Sequence, residues 1–275
     1  MILAPLRGVT IRCFRRTFAD ELAEAGFDEA ITPFITATGS YDPLGDRELR
    51  GCESIKVTPQ FIGKDPTALG RCLERIKSAG YSTADLNAGC PFPMIRRKGR
   101  GSGLLRTPDV LARMLETGCE VMGDGAFSLK TRLGVDQPGE LLALMPIINA
   151  FPLRFLTVHA RTARQMYEGE CDRGAFSAVE AAAKMPVVYN GDAPLSSKGA
   201  VMVGRAFVRS LGECDNSGEI VRRYTEASMD ELSGDRPVLG RIKELVAYWK
   251  DSPKWRHRWQ SVKIARTVDE LLRSI

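Results

Sequence analysis

The 275-residue chain is 44% hydrophobic and 27% charged with a formal net charge of +5, an ordinary globular composition that excludes disordered and fibrous classes. No apolar stretch approaches the roughly 20 residues that a membrane helix needs, and the N-terminal MILAPLRGVT lacks the regions of a secretory leader, so a cytoplasmic protein is expected. In chain order, short apolar runs recur near Ile2 to Ala4, Glu29 to Thr32, Val57 to Ile62, Thr83 to Leu86, Phe127 to Thr131, Phe155 to His159, Pro186 to Tyr189 and Ala200 to Val203. Most are followed by a stretch with helical periodicity, such as Phe14, Phe18 and Leu22, then Leu69, Leu73 and Ile76, then Val110, Leu111, Met114 and Leu115. Eight such βα units predict a closed (β/α)8 TIM-type barrel of the α/β class. Only 13 positions separate Val187 from Ala200, too few for an ordinary crossover helix, so the connection before strand eight is predicted to be shortened.

After Arg205, helical stretches near Gly218 to Met229, Gly240 to Lys250, Trp255 to Ile264 and Val268 to Leu272 predict a small C-terminal helical unit, with a domain division at 1–232 and 233–275. From Arg236 onward there are ten Lys/Arg against four Asp/Glu, so the basic excess of the chain lies in this tail, together with Trp249, Trp255 and Trp259. Tryptophans at helical positions are more often packing residues than base-stacking platforms, and at least two of the three are expected in the core. The seven cysteines (Cys13, Cys52, Cys72, Cys90, Cys119, Cys171 and Cys214) form no CxxC pair and are expected mostly as reduced, buried residues. With only His159 and His257 besides, no metal site is expected.

Working residues of such barrels sit at the C-terminal strand ends. Here these ends carry Ala4-Pro5-Leu6, Gln60, Asp85 to Pro91, Lys130 to Gly134, His159 to Thr162, Asn190-Gly191-Asp192 and Gly204-Arg205. Glycines after strands seven and eight let the backbone approach an anion, so a phosphorylated cofactor fits there. Bland readings stand beside these. Cys90 also reads as one more buried small residue, though its Gly-Cys-Pro context favours function; Lys130 and Arg132 read as a solvated pair, though alternation on an inner strand points both to one face; and His159 reads as a satisfied core histidine. The run Arg96, Arg97, Lys98, Arg100 reads as a solvated loop or as phosphate contacts, and Tyr167 as loop packing or a substrate contact.

The motifs APLRGVT, DLNAGCPF, GSGLLRTPDVL, SLKTRLG, VHARTARQMYEG, VVYNGD and VMVGRAF, in this order, resemble the tRNA-dihydrouridine synthases along nearly the whole chain. The tail segment RIKELVAYW is similar to that family's tRNA-binding domain, most like its C branch, which acts on a D-loop uridine at position 16. The resemblance implies FMN as cofactor, with Ala4, Pro5 and Leu6 along its ring, Gln60 and Lys130 at its polar edge, and His159 nearby. Asn190, Gly191, Asp192, Gly204 and Arg205 would then hold the ribityl chain and phosphate. It implies Cys90 as proton donor and Asn87 and Arg132 facing the uracil; position adds Arg96, Arg97, Arg161 and Tyr167 as candidate substrate contacts, and with no second dinucleotide unit carrying a GxGxxG turn NADPH is expected to act as reductant at the same mouth of a monomer. Two rivals remain: an FMN barrel reducing a free pyrimidine, and a flavin-free tRNA-binding protein.

Overall fold

The structure, a computed structural model, describes residues 1–49, 55–197 and 199–275. Ten short strands form one sheet: β1 Ile2–Leu3, β2 Glu29–Ile31, β3 Ile35–Thr36, β4 Lys56–Thr58, β5 Gln60–Ile62, β6 Ala84–Ala88, β7 Phe127–Gly134, β8 Leu156–Thr162, β9 Val187–Asn190 and β10 Val201–Val203. Every pairing is parallel. Pro33 separates β2 from β3 and Pro59 separates β4 from β5; each lacks the N–H a ladder needs, so one stave becomes two short strands. Because β2 pairs with β4 and β3 with β5, each couple is a single stave, and β10 pairing with β1 closes a ring of eight. The predicted barrel is therefore present, with its second and third staves broken.

The outer helices follow local rules. Helix α3 (Pro66–Ser78), which follows α1 (Arg12–Thr17) and α2 (Ala19–Glu24), starts at Asp65, whose carboxylate accepts from the amides of Thr67 (3.0 Å) and Ala68 (3.3 Å), with Pro66 at the first helical position. Leu69, Cys72, Leu73 and Ile76 form its buried stripe. Past the short α4 (Pro93–Arg96), α5 (Pro108–Met122) packs on α3, and a Cβ on its Gly118 would lie 2.0 Å from the Phe127 ring, so only glycine admits that contact. Then come α6 (Glu140–Ile148), α7 (Arg173–Ala182) and α8 (Arg205–Glu213). Between β9 and β10 no helix occurs among the described residues, as the short spacing predicts. Between β3 and β4 the described residues form two 3-10 turns, Pro43–Gly45 and Arg47–Leu49, in place of a helix; Cys52 lies outside the described residues. Cys13, Cys72, Cys90 and Cys119 are buried and reduced, whereas Cys214 is exposed.

Inside the ring, Ala4, Ile31, Phe155, Val188 and Met202 make an apolar layer. The N-terminal end is plugged by buried Glu29, which accepts from Arg154 through both oxygens (2.6 and 2.7 Å) and from Thr58 (2.5 Å). The tail forms α9 (Ser217–Glu231), α10 (Asp235–Val246), α11 (Arg256–Ile264) and α12 (Val268–Arg273). Trp249 and Trp255 are buried with ring centroids 4.9 Å apart, while Trp259 is half-buried, so two of the three are core residues. The Trp249 indole donates to the Val208 carbonyl (2.6 Å) and lies on Gly212, where a Cβ would sit 2.3 Å from the ring. These contacts join the tail to α8 in one continuous core. Among the described residues no helix is long and apolar enough to cross a membrane.

Candidate active site

A cavity of about 1520 Å³ opens at the C-terminal ends of the staves. Ala4, Pro5 and Leu6 line one wall, Asn87, Cys90, Lys130, Arg132 and His159 the floor and opposite side, and Asn190, Gly191, Gly204 and Arg205 one end; Tyr167 and Arg97 stand at its edge. The structure thus brings most of the sequence-predicted residues together. Gln60, Arg161, Asp192 and Arg96 do not line the cavity.

Lys130, on β7, reaches Asn190 on β9, donating from Nζ to Oδ1 (2.8 Å); the Asn190 amide is itself fixed by donating to the Met202 carbonyl (2.9 Å). Burial and the neighbouring Arg132 push the Lys130 ammonium down to about 7, against the pull of Asp85. His159 is held well below its ordinary value by burial and then by Arg132, Lys130, Arg161 and Arg205, so it is neutral. Arg161 Nη1 lies 3.3 Å from its Nε2. A guanidinium only donates, so Nε2 accepts and the ring proton sits on Nδ1.

Cys90 is 7% exposed. Its carbonyl accepts from the amide (3.1 Å) and hydroxyl (3.0 Å) of Ser102, and a Cβ on Gly101, whose φ is +57°, would lie 2.8 Å from the Cys90 Cβ. Burial raises the thiol, opposed by a backbone hydrogen bond from Phe92 and by Arg132 and Arg7, so it is protonated at neutral pH.

Arg132 lines the cavity but is largely committed: Nε donates to Gly89 O (2.9 Å), and Nη1 to Thr162 O (2.9 Å) and Met166 O (2.7 Å). It ties the Cys90 loop to the loop after β8, and burial lowers it only to about 10, leaving it charged. Tyr167, 44% exposed, has its ring between Arg132 and Arg205, 5.3 and 5.4 Å from their guanidinium carbons. Arg161, 2% exposed, instead organises the loop beyond it, donating to Glu168 O, Gly169 O, Cys171 Sγ (3.0 Å) and Asp192. Asp192 also pairs with Arg205 (3.4 Å), and the two arginines hold its carboxyl below the usual range against desolvation. Gln60 is fully buried under the floor, its amide held by Asp85 and Asn87.

At the Gly204 end the donor set suits a phosphate. Helix α8 begins at Arg205 with no side-chain cap, so its first N–H groups remain free of one. A Cβ on Gly204 would lie 3.0 Å from that of Ala4, and one on Gly191, at φ +153°, 2.5 Å from Cys171 Sγ. At both glycines the backbone packs against neighbouring side chains too closely for a Cβ to fit without a shift.

Lys98, read in the sequence as a solvated loop residue or a phosphate contact, lines the mouth, and so do Arg7, Arg209, Glu244, Tyr248, Lys250 and Asp251, which sequence reasoning missed. Glu244, Tyr248 and Asp251 recur at spacings of four and three along α10 and the turn after it, a one-sided pattern that a helical-face reading would have found. Sequence reasoning placed Asp85 at a strand end but gave it no role; the residue is fully buried beneath the floor and raised to about 7 by desolvation, against hydrogen bonds from Ser128 and Gln60 and the charge of Lys130. Among the described residues no group of three or more His, Cys, Asp or Glu is placed to hold a metal ion.

Fold and site together define a parallel (β/α)8 barrel with a lysine-bearing, anion-accepting cavity at its strand ends. Residues 2–208 match the family described as dihydrouridine synthase (Dus), and the chain belongs to that family. It is 30% identical over 218 residues to tRNA-dihydrouridine synthase B of Vibrio cholerae, covering 74% of this chain and 66% of that protein. It is 30% identical over 202 residues to the tRNA-dihydrouridine(16) synthase of Ralstonia nicotianae, covering 70% and 61%. The chain thus spans slightly less than two thirds of these relatives. Among solved structures it is similar to the old yellow enzyme homologue of Zymomonas mobilis (TM-score 0.56, 11% identity, 76% of this chain and 85% of that one). It is also similar to morphinone reductase in complex with tetrahydroNAD (TM-score 0.53, 11% identity, 76% and 83%). At that identity the likeness concerns the barrel alone.

Proposed function

We propose that this chain is a flavin-dependent tRNA-dihydrouridine synthase that reduces the C5=C6 bond of a D-loop uridine, position 16 being favoured by the resemblance of the tail. The reading rests most on one observation: a half-buried amine, Lys130, and a protonated thiol, Cys90, share a cavity whose glycine-lined end suits a phosphate. The substrate class follows that of the relatives, a tRNA-dihydrouridine synthase B and a tRNA-dihydrouridine(16) synthase.

FMN, when bound, supplies the hydride. Ala4, Pro5 and Leu6 give its ring an apolar wall, and Lys130 places positive charge where negative charge collects. Neutral His159, its Nε2 lone pair taken by Arg161, offers Nδ1–H. Gly191, Gly204, Arg205 and the α8 amides take the phosphate, Asp192 orienting Arg205, while Asn190 positions Lys130. Gln60, buried beneath the floor, acts through its bond to Asn87 rather than at the ring edge.

A uracil stacked in RNA cannot enter, so the base is flipped into the cavity. Asn87 and the remaining Arg132 donors face it, and the Cys90 thiol gives its proton to C5. Cations at the mouth, Arg7, Arg97, Lys98, Arg209 and Lys250, grip the phosphates. NADPH serves as reductant at the same mouth. The barrel, 1–232, carries the chemistry and the inner part of the mouth, and 233–275 adds further tRNA contacts, in a cytoplasmic monomer.

The test is mass spectrometry of tRNA from cells lacking the gene, complemented with wild type or Cys90→Ala. Wild type restores dihydrouridine and the variant largely does not; full restoration by Cys90→Ala removes the thiol as donor. Colourless protein that takes up no FMN removes the flavin reading.

A further inference from the structure

Asp85 on β6 stands level with Gln60 on β5 and with Ser128 on β7, three neighbouring positions at one level of the barrel interior. Asn87, two residues along β6, points to the same side. Ser128 Oγ donates to Asp85 Oδ1 (2.6 Å) and Gln60 Nε2 donates to Oδ2 (2.7 Å). Asn87 Nδ2 donates to Gln60 Oε1 (2.8 Å), and Asn87 Oδ1 accepts from the amides of Gly89 (3.1 Å) and Cys90 (2.9 Å). Asp85, Gln60 and Ser128 are fully buried, and Asn87 and Cys90 are each 7% exposed.

A primary amide has a donor end and an acceptor end of nearly equal shape, so its orientation is set by its partners. Above pH about 7 Asp85 is ionised, and an ionised carboxylate only accepts. Facing Asp85, Gln60 must present its NH2, which turns its carbonyl to Asn87. Asn87 in turn must present its NH2 to Gln60, which leaves its carbonyl for the backbone of the Cys90 loop. Reversing either amide would set N–H against N–H in a buried site, where an unmade bond carries its full desolvation cost.

We propose that Asp85 is a positioning residue whose carboxylate, through the fixed orientation of Gln60 and Asn87, holds the Cys90 loop with its thiol at the cavity. The proposal deepens the function above and rests on Cys90 as its proton donor.

The chain of bonds makes a prediction that a merely space-filling role does not. In Asp85→Asn the neutral amide faces Gln60 in either sense, and the Cys90 loop loses its fixed acceptor. In Gln60→Glu/Asp85→Asn the carboxylate moves one step along the chain. The carboxylate now at position 60 accepts from the new amide at position 85 and from Asn87, so Asn87 keeps its carbonyl toward Cys90, and net charge is conserved.

The readout is the rate at which iodoacetamide alkylates Cys90 in the purified protein, resolved from the other cysteines by peptide mass spectrometry, with bound flavin measured by absorbance. Asp85→Asn raises the rate about fivefold, the factor one weakened hydrogen bond gives. The double variant returns it to within about twofold of wild type. A wild-type rate in Asp85→Asn overturns the proposal, and so does a double variant that stays as reactive as the single one. Where Asp85→Asn does not fold, agreement or disagreement of the double variant with wild type decides. Because alkylation needs no tRNA, dihydrouridine formation by wild type, assayed in parallel, judges the proposed function separately.

Discussion

Replacing Lys130 by Met makes the flavin-free protein more stable at neutral pH, by an amount that shrinks as pH rises. The unfolded chain keeps a lysine proton up to about 10.4. The folded cavity holds it only below about 7, because burial and Arg132 oppose the charge. A group depressed in this way costs stability progressively as pH falls from about 10 to 7. At pH 7.5 about three units separate the solution from the unfolded value, an upper bound of about 4 kcal/mol; at pH 9.5 it is about 1.4 kcal/mol. Water at the open mouth reduces these to roughly half. Met has no charge to desolvate but gives up the bond to Asn190 (2.8 Å), a loss of about 1 kcal/mol. The net gain is about 1 kcal/mol at pH 7.5 and about zero at pH 9.5, a Tm increase of about 3 °C that disappears in alkali. Thermal denaturation followed by tryptophan fluorescence at the two pH values measures it. A variant less stable than wild type at pH 7.5, or a difference independent of pH, refutes the assignment of Lys130 as a cation kept at a cost. The same variant binds flavin weakly, the usual exchange of stability for a working site.

Three further outcomes are expected. Gly191→Ala places a Cβ about where Cys171 Sγ and the Tyr189 hydroxyl lie, 2.5 and 2.9 Å away, and weakens FMN binding about tenfold, read by fluorescence titration. Glu29→Gln leaves Arg154 without its counter-charge at the barrel base and destabilises by about 3 kcal/mol near neutral pH. Glu29 has a lowered value in the fold, from hydrogen bonds with Arg154 and Thr58 against desolvation, so its contribution is present above its unfolded value and is lost as pH falls through the folded one. The gap between wild type and the Glu29→Gln variant in denaturant titrations therefore narrows on acidification. Trp249→Ala empties the space over Gly212 and costs about 3 to 5 kcal/mol, measured by thermal unfolding.

The eight staves were legible because each apolar run is bounded by turn residues, and the site because polar side chains gather at one end of them. The breaks were not. Pro59 interrupts the ladder without interrupting the apolar pattern from Val57 to Ile62, and Ile35–Thr36 is too short to show any period. Position at a strand end told that Arg132 and Arg161 lie near the mouth but not where their guanidinium groups go, since the carbonyls that capture them come from loops 30 or more residues away, or in Arg161 from the turn at Glu168 and Gly169. Asp85 carried no sign of burial because its partners stand on neighbouring strands, and register is a property of the sheet.

The family match ends at residue 208, yet the outer wall of the cavity comes from α10 and the turn after it. On the proposed function, barrel chemistry and substrate admission belong to different parts of the chain, and a change in the wall alone separates them. Tyr248 is half-buried at the mouth, one helical turn from Glu244, whose carboxylate lies against Gly8 so closely that a Cβ there would meet it at 2.4 Å. Tyr248→Ala removes wall without touching Lys130, Cys90 or the phosphate end. We expect KM for tRNA to rise about tenfold, the scale of one lost aromatic contact, with kcat and flavin content near wild type. If kcat falls as far as kcat/KM, or flavin is lost, the wall is part of the chemistry and the division between barrel and tail fails.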